Sequence, residues 1–257
     1  MNISLCIATF NEETFLHYPL DSCIDWVDEV VIVDGNSTDK TVEVAKSYGK
    51  KVRIIQAENV PMFHANKQKA IEAAKGDWIL QLDADEEVTQ NLKDEILRIT
   101  NDELRMTNQA VAYWVPRKNY FLGRFLTKGG VYPDHTIRLY KNGVAKFPCK
   151  TVHENVEITR AARTSAVNIG YLKNDLLHYA DPNFSRYLRR WKRYNELDAK
   201  LLREKGKKPN IFNYLIIKPL TTFFAMFVRH KGFMDGWQGF VFAFFSSVRF
   251  WDIMRRF

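Results

Sequence analysis

The 257-residue chain is 46% hydrophobic and 26% charged, which excludes a disordered or collagen-like polymer and suits one large domain or one domain with an appendage. Its net charge of +8 is uneven: residues 1–100 hold 10 Lys+Arg against 18 Asp+Glu (−8), so residues 101–257 hold 28 against 12 (+16). A basic C-terminal part suits anionic partners such as phosphates, anionic lipid or nucleic acid. Cys6, Cys23 and Cys149 cannot form a closed disulfide set and lack metal-ligand spacing, so they read as reduced thiols of a cytosolic protein. A strand begins straight after Met1-Asn2, with neither a basic n-region nor a cleavage site, and no secretion signal is expected.

In chain order, Ile3–Thr9 is a short apolar run of the kind that makes a buried parallel strand, followed by a polar exit into a helix ending near Cys23. Val30–Val33 is a second strand, terminating at Asp34, and Thr41–Tyr48 is a helix with Gly49 as its stop. Lys51–Gln56, the helix Phe63–Ala74 and the strand Asp77–Leu82 continue the alternation. Strands alternating with helices predict a doubly wound α/β sheet, which binds ligands outside the carboxyl ends of its strands. Thr9, Asn11, Asp34, Asp83 and Asp85 therefore gather along one edge. Asp83-Ala84-Asp85 on its own reads either as an acidic turn or as a hard-oxygen site for a divalent cation on a diphosphate. Asp34 reads as an Asx turn, a nucleoside contact, or both. Glu86 and Glu87 read as the acidic start of the next helix, where the helix dipole favours them. No Gly-rich loop follows the first strand and no G-x-G-x-x-G occurs, which argues against a sugar nucleotidyltransferase and a dehydrogenase.

The series IATFNEE, VVIVDGNSTDKT and HANKQKAIEAAKGDWILQLDADEE resembles the nucleotide-sugar-binding half of family 2 glycosyltransferases with the GT-A fold, over roughly residues 1–100. The resemblance implies a mixed GT-A sheet with helices on both faces, in a domain of residues 1–180 whose part 101–180 faces the acceptor. It also implies nucleoside contacts at Thr9, Asn11 and Asp34, a Mn²⁺ or Mg²⁺ ion on Asp83 and Asp85, and Asp83 near the nucleotide sugar. Lys67 stands where the family usually has an Arg near the nucleotide, keeping the charge without the bidentate fork. As an alternative, Lys67 is one more solvated helix lysine.

Past Asn108, the segments Ala110–Val115, Arg117–Arg124 and Ile137–Tyr140 predict an antiparallel extension of the sheet. Inverting glycosyl transfer needs a base for the acceptor hydroxyl. By the family's Val-His-Glu context that base is Glu154, with His153 orienting it or touching the sugar; exposed strand residues are the alternative. A later histidine completes the metal shell in several enzymes of this fold, which makes His178 a candidate third ligand, with a structural histidine as the alternative. Gly129–Asp134 reads as a flexible loop near the acceptor.

From Asn183 to Lys208 there are ten Lys/Arg and three Asp/Glu, with aromatics at helical spacing, which predicts an amphipathic helix with a basic face. Arg186, Arg189, Arg190 and Arg193 can neutralise a leaving diphosphate or lie on anionic headgroups; no nucleic-acid module accompanies them. Ile211–Val228 has the length of a marginal membrane span, but Lys218-Pro219 interrupts it. Aromatic runs bordered by cations over residues 181–257 describe helices lying in a bilayer interface, with core packing or a dimer interface as alternatives. Gly232–Phe240 resembles the tail of lipopolysaccharide core β-1,4-glucosyltransferases. That implies UDP-glucose as donor, a lipid-linked glycan such as a core heptose as acceptor, and a place on the cytoplasmic face of a membrane. A polyprenyl-phosphate glycosyltransferase, or a non-catalytic protein binding a membrane surface or nucleic acid, are the competing expectations.

Overall fold

In the computed structural model, alternation within apolar runs decides the architecture. The structure describes residues 1–59, 64–101, 110–148, 156–159, 168–206 and 209–257. Strands β1 (Ile3–Thr9), β2 (Glu29–Asp34), β3 (Val52–Gln56) and β4 (Trp78–Asp83) form the parallel part of a sheet in the order β3-β2-β1-β4. Leu5, Ile7, Val30, Ile32, Leu80 and Leu82 belong to one core and Cys6, Val31, Val33 and Ile79 to a second, as a period of two requires. Helices α1 (His17–Cys23), α2 (Thr41–Ser47) and α4 (Gln90–Asn101) supply Leu20, Ala45, Leu92 and Ile96 to the first core. Helix α3 (His64–Ala73) supplies Ala70 and Ile71 to the second. The expected sheet with helices on both faces is thus realised, and each fully buried Leu, Ile or Val contributes about 1.5–3 kcal/mol. Cys6 and Cys23 are free and buried; burial pushes the Cys23 thiol up to about 12, which leaves it inert.

The chain divides into two compact units, Met1–Arg117 with His135–His178, and Lys118–Asp134 with Tyr179–Phe257. The second boundary falls next to the expected one at 180, but Lys118–Asp134 groups with the C-terminal residues. Beyond β4 come β5 (Glu86–Val88), β6 (Ala112–Phe121), β7 (Arg124–Phe125), β8 (Asp134–Lys141), β9 (Ala145–Lys146), β10 (Glu157–Ile158), β11 (Ile169–Tyr171) and β12 (Leu176–Asp181). β8 runs antiparallel to β4, the predicted extension, and β12 pairs antiparallel with β5. Glu86 and Glu87 correct an expectation: they lie in β5, and α4 begins at Gln90 with no acid in its first turn. Arg117 continues β6 in one ten-residue strand rather than opening a new segment.

In the second unit, helix α5 (Phe184–Glu204) begins where the Asn183 side chain accepts the Arg186 amide at 2.9 Å, a cap contributing about 1 kcal/mol. Helix α6 (Lys218–Phe223) is flanked by π-helical turns at Asn213–Ile217 and Phe224–Arg229, and helix α7 (Gly236–Arg256) ends the chain. Pro219 has no N–H for the Leu215 carbonyl four residues back. The Trp251 indole donates to that carbonyl instead, at 2.9 Å. Between these helices Gly239 meets Gly232 so closely that a Cβ on Gly239 would lie 1.9 Å from the Gly232 oxygen. Asp235, 1% exposed, accepts the Thr127 and Lys128 amides at 2.9 and 2.7 Å. Among the described residues no helix is long and apolar enough to cross a membrane.

Candidate functional site

Parallel register aligns the ends of three adjacent strands. Thr9 pairs with Asp34 across β1 and β2, and Ala8 with Asp83 across β1 and β4, so the predicted residues do share the carboxyl edge of the sheet. Thr9 is 6% exposed and its hydroxyl has no hydrogen-bond partner, an orphaned polar group at the edge where a ligand is expected. Asp34 is buried, accepting the Ser37 amide at 2.9 Å and the Ser37 hydroxyl at 2.5 Å. The Asx turn is therefore present in full. Asn11 takes a left-handed backbone, φ 53°, which asparagine tolerates, and its side-chain oxygen accepts the Thr38 amide at 2.8 Å. It closes the Ser37–Thr38 loop over the strand ends.

The carboxylates of Asp83 and Asp85 face different partners. Asp83 pairs through one oxygen with Lys67, and its other oxygen accepts from Arg138 Nη2 at 2.6 Å. Burial opposes its ionisation, but Arg138 and then Lys67 hold its carboxyl well below the usual carboxylate range. Lys67 is 7% exposed, so it is no solvated helix lysine. The fork that an arginine would offer Asp83 is divided here between Lys67 and Arg138. Asp85 instead faces His178, Oδ1 to Nε2 at 3.5 Å, brought close by the β5–β12 ladder in which His178 is opposite Glu86.

Glu86 is the residue whose role the sequence hid. It is 0% exposed and accepts the Asp83 amide at 2.9 Å, Arg117 Nη1 at 3.0 Å and Arg138 Nη2 at 2.6 Å. Arg138 also donates to Gln81 Oε1 at 2.5 Å, so one guanidinium on β8 ties β4 to β5. A signal existed in Ile137-Arg138-Leu139-Tyr140: a cation inside an apolar strand demands a buried carboxylate. The resulting cluster sets Lys67, Arg117 and Arg138 against Asp83 and Glu86, with Asp85 paired to His178.

As to a divalent cation, the described residues contain no group of three or more His, Cys, Asp or Glu side chains that could hold one alone. Asp85 and His178 fit as a two-ligand half-site, with diphosphate oxygens needed to complete the shell. Asp83 carries a cation on each oxygen, Lys67 on one and Arg138 on the other. His153 and Glu154 lie outside the described residues. Arg186 donates its Nε to the Ala180 carbonyl at 3.1 Å, Arg190 pairs with Asp181, and Arg189 and Arg193 are exposed on α5. All four belong to the second unit.

A mixed α/β sheet with polar side chains gathered at its parallel strand ends is the class of the GT-A glycosyltransferases. The mannosyltransferase PcManGT from Pyrobaculum calidifontis, solved in complex with GDP-Man and Mn²⁺, shares this fold at a TM-score of 0.58 and 10% identity, covering 99% of this chain and 86% of that one. The model of glycosyl transferase family 2 matches residues 4–146, and this chain belongs to that family. An uncharacterized glycosyltransferase of Rickettsia bellii is 30% identical over 256 residues, 96% of this chain and 84% of that protein. The lipopolysaccharide core biosynthesis glycosyltransferase LpsC of Rhizobium meliloti is 26% identical over 262 residues, 97% of this chain and 92% of that protein.

Proposed function

We propose that this transferase moves a hexose, with UDP-glucose as the donor, to a hydroxyl of a lipid-linked glycan such as a lipopolysaccharide core heptose, with inversion at the anomeric carbon. The observation that carries the reading is the gathering of Thr9, Asp34, Asp83 and Asp85 at one sheet edge with His178 beside Asp85. The nucleoside meets the orphaned Thr9 hydroxyl and Asp34, once Ser37 turns aside from that carboxylate. Asp83, fixed by Lys67 and Arg138, holds the donor's ribose or diphosphate side in register. Asp85 and His178 would hold Mn²⁺ or Mg²⁺, which when bound neutralises charge on the departing diphosphate. Glu154 removes the proton of the acceptor hydroxyl as that oxygen attacks.

The likeness to LpsC supports a lipopolysaccharide-type acceptor and, with it, a peripheral site of work on the cytoplasmic face of a membrane. The test is titration calorimetry of UDP-glucose, and of GDP-mannose for contrast, with Mn²⁺ and then with EDTA. UDP-glucose is expected to bind with Mn²⁺ and to weaken about 10–100-fold on chelation or in H178A. Donor binding indifferent to EDTA would remove the metal from the site, and preference for GDP-mannose would remove the uridine assignment.

A further inference from the structure

Among the described residues, fifteen of the twenty exposed large apolar side chains lie within residues 211–257, all of it second-unit sequence. A water-facing domain seldom concentrates them so, and such a patch marks a docking surface. Their order is regular. Phe212, Ile216, Leu220, Phe224 and Val228 recur every four residues, and each is 43–65% exposed. In an unbroken α-helix an i+4 row drifts about 40° per step. The two wider π-turns take up that drift and keep the row straight. A second row, Trp237, Phe240, Phe244 and Trp251, follows a seven-residue spacing along α7. The rows lie side by side and antiparallel, since Phe240 packs on Phe223 and Phe227 while Trp251 reaches back to Leu215.

Charge selects the occupant. Between Pro209 and Phe257 the cations are Lys218, Arg229, Lys231, Arg249, Arg255 and Arg256, and the acids are Asp235 and Asp252 alone. Asp235 is 1% exposed, and the Asp252 side chain is 9% exposed and paired with Arg255 and Arg256. The face therefore offers apolar rings with exposed cations at both ends, Arg229 and Lys231 at the turn and Arg255 at the far end, and no accessible unpaired side-chain carboxylate. A second copy docked on it about a two-fold axis would set cations against cations. Anionic phospholipid matches both features: acyl chains take the rings and headgroups the cations, each basic residue strengthening attachment about fivefold.

We infer that the antiparallel pair formed by residues 211–229 and 233–256 lies flat on an anionic phospholipid surface, its two apolar rows in the headgroup boundary and its end cations on lipid phosphates. The inference deepens the peripheral location proposed above by naming the surface and the lipid charge it reads, and rests on that reading only for the direction of the acceptor.

The experiment is flotation of the full chain with vesicles of phosphatidylcholine alone and of phosphatidylcholine with about 30% phosphatidylglycerol. It is run for the wild type and a variant carrying L220S, F224S and W237S, three exposed positions, with circular dichroism to check that the variant is folded. Wild type is expected to float with the anionic vesicles, weakly with the neutral ones, and to release with salt; the variant's partition coefficient falls at least about tenfold. Equal flotation of variant and wild type overturns the inference, as does wild-type binding indifferent to phosphatidylglycerol. A wild-type dimer by light scattering that the variant abolishes assigns the face to a second copy instead. Calorimetry of UDP-glucose on the wild type keeps the readings apart: donor binding without flotation sinks only the surface inference, and flotation without donor binding sinks only the nucleotide-sugar reading.

Discussion

Arg138→Met tests whether the strand-end cluster is a charge network. Arg138 is 5% exposed and donates to Gln81, Asp83 and Glu86 at 2.5, 2.6 and 2.6 Å. Methionine keeps most of the stem and removes the charge. Removing one partner of a buried ion pair costs about 3–5 kcal/mol. Glu86 keeps Arg117 and Asp83 keeps Lys67, so the lower end, about 3 kcal/mol, is expected. For a chain of this size that is a fall in Tm of about 6–12 °C, read by calorimetry at neutral pH. The pH dependence has a definite sign. Because the folded pKa of Asp83 lies below its unfolded value, its contribution is complete above about pH 4 and is lost as pH falls through the folded value. Arg138 is the largest of the attractions that lower it, so the gap between wild type and R138M closes on acidification. A melt within about 2 °C of wild type at neutral pH, or a gap that widens in acid, would refute the network.

Glu154→Gln is expected to lower kcat about 100-fold or more with donor affinity unchanged; near-normal turnover would take the base elsewhere. Gly239→Ala drives a Cβ to 1.9 Å from the Gly232 oxygen and should cost about 1–3 kcal/mol or more, seen as a lowered melt of the full chain. Asp34→Asn keeps an oxygen for the Ser37 amide but replaces the acceptor of the Ser37 hydroxyl with an N–H and removes the charge. Calorimetry should show UDP-glucose affinity falling about tenfold and stability by about 1–3 kcal/mol, while an unchanged affinity would leave Asp34 as a turn residue only.

The parallel strands were legible because each is a run of apolar residues ending in a polar one, and Ile3–Thr9 was bounded to the residue. Gly49, at φ 88°, ended α2 as its backbone freedom allows. What escaped was long-range pairing. Glu86 sits where an acidic helix start is plausible by local rules, and only β8 and β6, which bring Arg138 and Arg117, make burial of that carboxylate affordable. Lys67 was marked by the family's Arg position, but its pairing with Asp83 across the sheet is a long-range contact of the same kind. The exposed aromatic rows were visible as composition, but their straightness depends on the π-turns around Pro219, which no period of 3.6 anticipates. The grouping of Lys118–Asp134 with the C-terminal helices hangs on Asp235, whose two amide partners lie more than a hundred residues away.

The register of β2, β1 and β4 also acts as a gauge of ligand length. Asp34 and Asp83 stand on the strands flanking β1, one residue apart in its register, so two strand spacings of about 4.8 Å, or roughly 10 Å, separate the ends of the site. On the proposed reading, a nucleoside bearing two phosphates spans that interval and a nucleoside monophosphate falls short of it. The pitch of the sheet would then select the nucleoside diphosphate portion that donor and released product share, and leave the sugar to be told apart elsewhere.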